Sequence, residues 1–202
     1  MGGAGLRGQS AGETSICTVG VSGSGLTYRG YDVVDLAENT TFEEVAYLLL
    51  HEKLPNSKEL KDYIEKLKSL RGLQPELRSA LEGIPKTAHP MDVLRTGCSV
   101  LGNLEQEEGF LNQTDHADRM LSAFPSILSY WYQFSHHGKR INTETNDDTI
   151  GGHFLHLLHG KKPSQLHNQV MSVSLILYAE HEFNASTFAA RVCASTLSDI
   201  HS

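Results

Sequence analysis

These 202 residues hold no surplus of positive charge, no paired cysteines and no long apolar run. Asp and Glu number 24 against 17 Lys and Arg, a formal net charge of −7, and the sequence pI is about 5.8. Binding nucleic acid or an anionic membrane surface needs a basic face to displace counterions, so neither is expected as a partner. Any anion has to be held by a local cluster of donors.

The three cysteines, Cys17, Cys98 and Cys193, are far apart and form no CxxC pair, which argues against a disulfide scaffold or a zinc ribbon. Buried, reduced thiols are the simplest expectation. No stretch approaches the roughly 18 apolar residues of a membrane span, and MGGAGLRGQS lacks both a hydrophobic signal core and the hydroxyl residue of a myristoylation site. A cytoplasmic protein is expected.

What is present reads as one helical domain preceded by a short β segment. SICTVGV and LTYRGYDV flank the turn-forming SGSG at Ser22 to Gly25, predicting an N-terminal hairpin segment over 1–32. A dinucleotide loop fails there, because the third glycine of GxGxxG falls at Tyr28. The remainder, 33–202, carries helical signals throughout. Thr41 and Glu44 make a capping box before FEEVAYLLLH, and Asn56 or Ser57 opens a second helix that Gly72 is expected to stop. Pro75 suits a first helical turn, as does Pro90 after His89. On the latter helix Met91, Leu94, Cys98 and Leu101 are expected on the buried side, and Gly97 allows a close neighbour. MLSAFPSILSYWYQF is apolar nearly all round, which predicts a buried helix, kinked at Pro125 or covered by a second subunit. Ser164 opens a helix read as running through Val170, Val173, Leu177 and His181, and a terminal helix follows through Phe188, Val192, Thr196 and Ile200.

Eleven histidines raise the question of a metal. His153, His156 and His159 recur every third residue, but each step of three turns a helix by about 300°, so the rings spread over roughly 120°. Neither HExxH nor a paired cysteine accompanies them, and no metal is expected.

His181 differs in its surroundings. It follows an apolar helix and precedes the bend EFNAST, so its ring is expected in a gap between two helices. Free N–H groups at the next helix start, with the Asn184 and Ser186 side chains, favour a carboxylate or an electron-rich carbonyl oxygen there. A histidine donating a hydrogen bond at that point can polarise a ketone. The alternative is a capped helix turn around a core histidine.

At these residues the sequence resembles the citrate synthase family, and within it the 2-methylcitrate synthases. The resemblance rests on SGSGLTYRGYDVVDLAENTTFEEVAYLLLHEKLP, HPMDVLRTGCSVLGNLE, SYWYQFSHHGKRI, IGGHFLHLLHGKKPS and LYAEHEFNASTFAARVCASTLSD, in the family's order along nearly the whole chain. It implies an all-α fold, here part of the large helical domain with a short N-terminal β-hairpin. It also implies an enzyme condensing oxaloacetate with a short acyl-CoA, propionyl-CoA or alternatively acetyl-CoA, as a homodimer. A CoA thioester is then a co-substrate, and no tightly bound cofactor is expected. By the same resemblance His181 matches a histidine that binds oxaloacetate, with Asn184 and Ser186 lining that pocket. Arg29 matches a basic position near the CoA phosphates in some relatives or else anchors the hairpin, and His51 is a weaker substrate-contact candidate.

The resemblance implies a GPLHGG motif with the enol-stabilising histidine, then a second catalytic histidine, the base Asp and the carboxylate-binding arginines. None of these motifs occurs in the 202 residues. No catalytic residue is therefore expected in this chain, which reads as the N-terminal portion of the enzyme, without the small domain and inactive alone. A helical dimerisation fragment working through residues 90–135 is the competing reading.

Overall fold

The computed structural model describes residues 12–20, 25–107 and 112–202, so Ser22 to Ser24 of the expected turn lie outside the described residues. Among the described residues there are three short strands, β1 (Cys17–Val19), β2 (Leu26–Tyr28) and β3 (Tyr31–Asp32). Nine helices follow: α1 (Val33–Asn39), α2 (Phe42–His51), α3 (Ser57–Ser69), α4 (Pro75–Glu82), α5 (Pro90–Leu104), α6 (Gln113–His137), α7 (Ile150–His159), α8 (Gln165–Leu177) and α9 (Ala185–Ser195). None is long and apolar enough to cross a membrane.

The β segment is more than the one hairpin expected. β1 pairs antiparallel with β2 in the register Cys17 to Tyr28, and β2 turns through Arg29 and Gly30 to pair with β3. Gly30 has φ +89°, where a side chain is disfavoured. Asp32 then caps α1 by accepting from the Val34 N–H.

Most helix starts follow the local chemistry. Thr41 and Glu44 form the capping box of α2, and Asn56 with Glu59 forms that of α3. Pro75 and Pro90 occupy first-turn positions, and the Nδ1 of His89 accepts from the Met91 N–H. Ser164 caps α8. α3 stops earlier than Gly72, at cap Leu70, whose N–H turns back to Leu67 and Lys68.

Two apolar clusters build the core. The first joins Cys17 and Tyr28 of the sheet to Leu36, Val45, Leu48, Tyr63, Leu67, Ile150 and Ile176. The second gathers Leu77, Leu81, Val93, Leu101, Ile127 and Trp131 from α4, α5 and α6. α5 buries Val93, Gly97 and Leu101, spaced four apart, while Met91 is 64% exposed. The close approach at Gly97 sets this face: an ideal Cβ there lies 2.7 Å from Ile127 Cγ2. α6 runs through Pro125, and the side it buries is less apolar than expected, including Ser122, Ser126, Ser129 and Gln133. Small hydroxyls let α7 approach, and Gln133 donates to the carbonyls of Leu157 and Leu158. The bulky Leu121, Phe124 and Leu128 instead line an apolar groove of about 290 Å³ with Leu94, Phe154 and Met171.

A buried polar network fastens α7. Glu43 Oε1 accepts from the Ile150 N–H at 2.8 Å, and Arg71 donates to the Thr145 and Thr149 carbonyls. His153 bonds Ser126 at 3.0 Å and Thr145 at 3.0 Å, and His156 pairs with Asp147 at 2.6 Å. Burial, reinforced by the Arg71 charge, pushes the His153 pKa down to about 3. Burial also pushes the Glu43 carboxyl up. The three histidines of this helix thus diverge: His153 is buried, His156 half-buried and His159 exposed.

Candidate functional site

The turn between α8 and α9 carries the residues singled out at the sequence level. α8 ends at Leu177, one turn before His181: the Ala179 N–H tightens back to the Ile176 carbonyl at 3.2 Å, and the Tyr28 hydroxyl stands between the Ile176 carbonyl and the Glu180 N–H, which a continuing helix would join directly. Glu182 then takes φ +59°, a left-handed conformation that no helix can continue through. Asn184 restarts the chain as the cap of α9, its Oδ1 accepting from the Thr187 N–H at 2.9 Å. α9 closes at Ser195, short of Ile200, since Leu197 takes φ +61°.

His181 is exposed at the turn between α8 and α9, which rules out the alternative of a core histidine. The physical reason is the early end of α8, which lifts residues 179–183 off the helix axis. Asn184 and Ser186 are exposed beside it. With Asn184 committed to Thr187, the N–H groups of Ala185 and Ser186 have no partner within the helix, and they share the positive end of its dipole with the Ser186 hydroxyl. Imidazole, hydroxyl and two amides thus occupy six consecutive residues. That set can donate to a carbonyl oxygen and a carboxylate of one small anion.

Three points of the N-terminal segment hold this turn. The Tyr28 hydroxyl, fully buried, donates to the Ile176 carbonyl at 2.8 Å and accepts from the Glu180 N–H at 3.4 Å. Burial pushes the Tyr28 hydroxyl above its ordinary range, so it remains a donor. The Val19 N–H donates to Glu182 Oε1 at 3.2 Å. Gly12 lies beneath Phe183 and Arg191; a Cβ there would sit 3.7 Å from Phe183 Cζ and 3.6 Å from Arg191 Nη2. Arg191 stacks on Phe183 with 4.6 Å to the ring centroid, placing a cation on the first turns of α9.

Sequence reasoning passed over Tyr28, Glu182 and Arg191. Only Arg191 left a signal, as the one basic residue of α9. Tyr28 and Glu182 act through partners 148 and 163 positions away, which no local pattern reveals.

Arg29 and His51 belong to a neighbouring cluster at the end of α2. Arg29 donates to Ser15 Oγ and the Leu49 carbonyl and pairs with Glu52 at 3.2 Å, with a side chain only 14% exposed. His51 packs against Tyr47, ring centroids 4.2 Å apart, and edge-on to Tyr63. Among the described residues no hydrogen bond joins this pair to His181, Asn184 or Ser186. No group of three or more His, Cys, Asp or Glu that could hold a metal is found among the described residues. The thiols differ from one another: Cys17 is buried, Cys98 half-buried, and Cys193 exposed on α9, contrary to the expectation of three buried thiols.

The family model described as citrate synthase, C-terminal domain, matches residues 5–202. The 2-methylcitrate synthase of Shewanella oneidensis MR-1 is 72% identical over 200 residues, covering 99% of this chain and 53% of that protein. Among solved structures, the ternary complex of carboxymethyl coenzyme A and oxaloacetate with citrate synthase from Thermoplasma acidophilum superposes with a TM-score of 0.90 at 26% identity, covering 98% of this chain and 52% of its own. Citrate synthase from Thermotoga maritima MSB8 gives 0.83 at 35% identity, with the same coverages. The chain spans about half the length of the relatives it matches. A family match running from residue 5 to the last residue, together with the shared helical course, places the chain in the citrate synthase family.

Proposed function

We propose that this chain supplies one wall of the oxaloacetate site of a 2-methylcitrate synthase, an enzyme joining propionyl-CoA, oxaloacetate and water to give 2-methylcitrate and free CoA. The observation that carries the reading is the 72% identity to the Shewanella oneidensis enzyme along 99% of the chain, which includes the exposed His181 turn. In this reading His181 donates a hydrogen bond to the oxaloacetate ketone and draws electron density from the carbon under attack. The Ala185 and Ser186 N–H groups and the Ser186 hydroxyl receive a carboxylate, and Asn184 sets their direction by capping α9. Arg29 and His51 serve the scaffold that carries this turn.

Enolising the thioester requires a base at its α-carbon and a donor at its oxygen. We assign both, with the further carboxylate-binding arginines, to the part of the family's chain that has no counterpart here. The catalytic unit is a cytoplasmic homodimer, with the apolar groove between α5, α6 and α8 contributing to the face between copies. A citrate synthase acting on acetyl-CoA is the second reading, favoured by the Thermotoga maritima relative. The test is a thiol assay on the purified 202-residue chain with propionyl-CoA and oxaloacetate. No CoA release is expected, and turnover by the pure chain would overturn the assignment of the missing roles.

A further inference from the structure

The sheet at the start of the chain touches the His181 turn on both sides of the histidine, and among the described residues no hydrogen bond reaches its ring. Before it, Tyr28 bonds the Ile176 carbonyl and the Glu180 amide; after it, β1 bonds Glu182 through the Val19 N–H. Farther along, Gly12 packs beneath Phe183 and Arg191. Among the described residues the His181 N–H is bonded only to the neighbouring Glu180 carboxylate, at 3.1 Å. Such a turn needs outside support. Glu182 holds a left-handed backbone that is unfavourable for a non-glycine residue, and the flanking helices bury only Ile176 between them.

We infer that Tyr28 and Glu182 are positioning residues: the β1–β2 strands act as a strap that fixes the height and direction of His181 above the start of α9. The strap works because its two anchors come from adjacent strands in register. Tyr28 pairs with Cys17 and Val19 with Leu26, so the two bonds are tied together by the β ladder. A displacement of the turn has to break both at once. Glu182, rather than a backbone group, accepts from Val19, so the side chain couples the left-handed residue directly to the sheet. The proposal rests on the reading of His181 as an oxaloacetate contact, and its readouts separate the two.

The experiment uses the 202-residue chain labelled for NMR, in the parent sequence and as Glu182→Gln and Tyr28→Phe. Glu182→Gln keeps shape and an acceptor oxygen while weakening the bond, so it remains informative if Tyr28→Phe fails to fold. Amide exchange at Val19 in the first variant and at Glu180 in the second is expected to speed up about fivefold, with α6 amides unchanged. The His181 ring resonance is expected to move without ligand, and the oxaloacetate concentration that half-saturates its response to rise about fivefold. A His181 resonance that stays in place while the Val19 and Glu180 amides loosen overturns the strap. If the parent chain shows no response to oxaloacetate but its ring resonance moves in the variants, the strap stands and the oxaloacetate reading falls.

Discussion

α6 and the α8–α9 pair are of similar length, yet they are buried to very different extents. α6 buries eleven of its 25 residues and touches α3, α4, α5 and α7. α8 buries Ile176 alone, and α9 buries nothing. Leu166, Val170 and Leu177 on α8, Val192 on α9, and Tyr178 and Leu197 just past the ends of these helices are exposed. α6 is fixed by packing on four helices; α8 packs on α1, α2 and α7 along one side only, and the turn and α9 beyond it are held by capping bonds and by the strand anchors. The lesson is that the fold and the proposed site depend on different physics. The core needs shape, and the site needs a few long-range hydrogen bonds.

The contrast is broken most severely from inside. Leu101→Ala removes a fully buried side chain between α5 and α6 and is expected to cost about 2–5 kcal/mol in urea unfolding. Gly97→Val collides with Ile127 and is expected to destabilise by a similar amount. Next comes acid. His153 is held neutral in the fold with a pKa of about 3 and returns to its ordinary value, near 6.5, when unfolded. The unfolded chain therefore binds the extra proton between those values. Stability is full above about pH 6.5 and falls by up to about 1.4 kcal/mol per pH unit toward pH 3. Asp147, kept low against its burial by Thr145, His156 and Arg71, steepens the acid end. Thermal melts across pH 4–8 check this, and the slope is expected to flatten in His153→Asn even though that variant melts lower.

Smaller effects belong to the outer pair. Asn184→Ala loses the Thr187 cap and is expected to cost α9 about 1 kcal/mol, read as faster amide exchange confined to residues 185–195. Leu166→Ser, on the exposed face of α8, is expected to stay within about 0.5 kcal/mol in the same unfolding assay. A loss as large as that of Leu101→Ala would mean that the face is covered.

The same division explains what could be read in advance. Helix starts were legible because a cap is a bond between residues two or three apart: Thr41 with Glu44, Asn56 with Glu59. The close contact at Gly97 was legible for a comparable reason, since a glycine inside an apolar helix invites a neighbour. The buried side of α5 was legible only at Leu101; Val93 and Gly97 replace Met91 and Cys98 on it because Ile127 of α6 sets the contact. The end of α8 was not legible, since Tyr28 enforces it across 148 positions. His181, Asn184 and Ser186 stood out by spacing and by family resemblance. Their exposure, and the strand that holds them, came only with the tertiary structure.

The most direct measurement of the central claim follows the ketone carbon of ¹³C-labelled oxaloacetate on titration with the 202-residue chain and with His181→Ala. The account expects a saturable downfield shift with the parent chain, as a hydrogen bond from His181 polarises the carbonyl, and none with the variant. An equal shift with His181→Ala, or no shift with the parent chain, would contradict it.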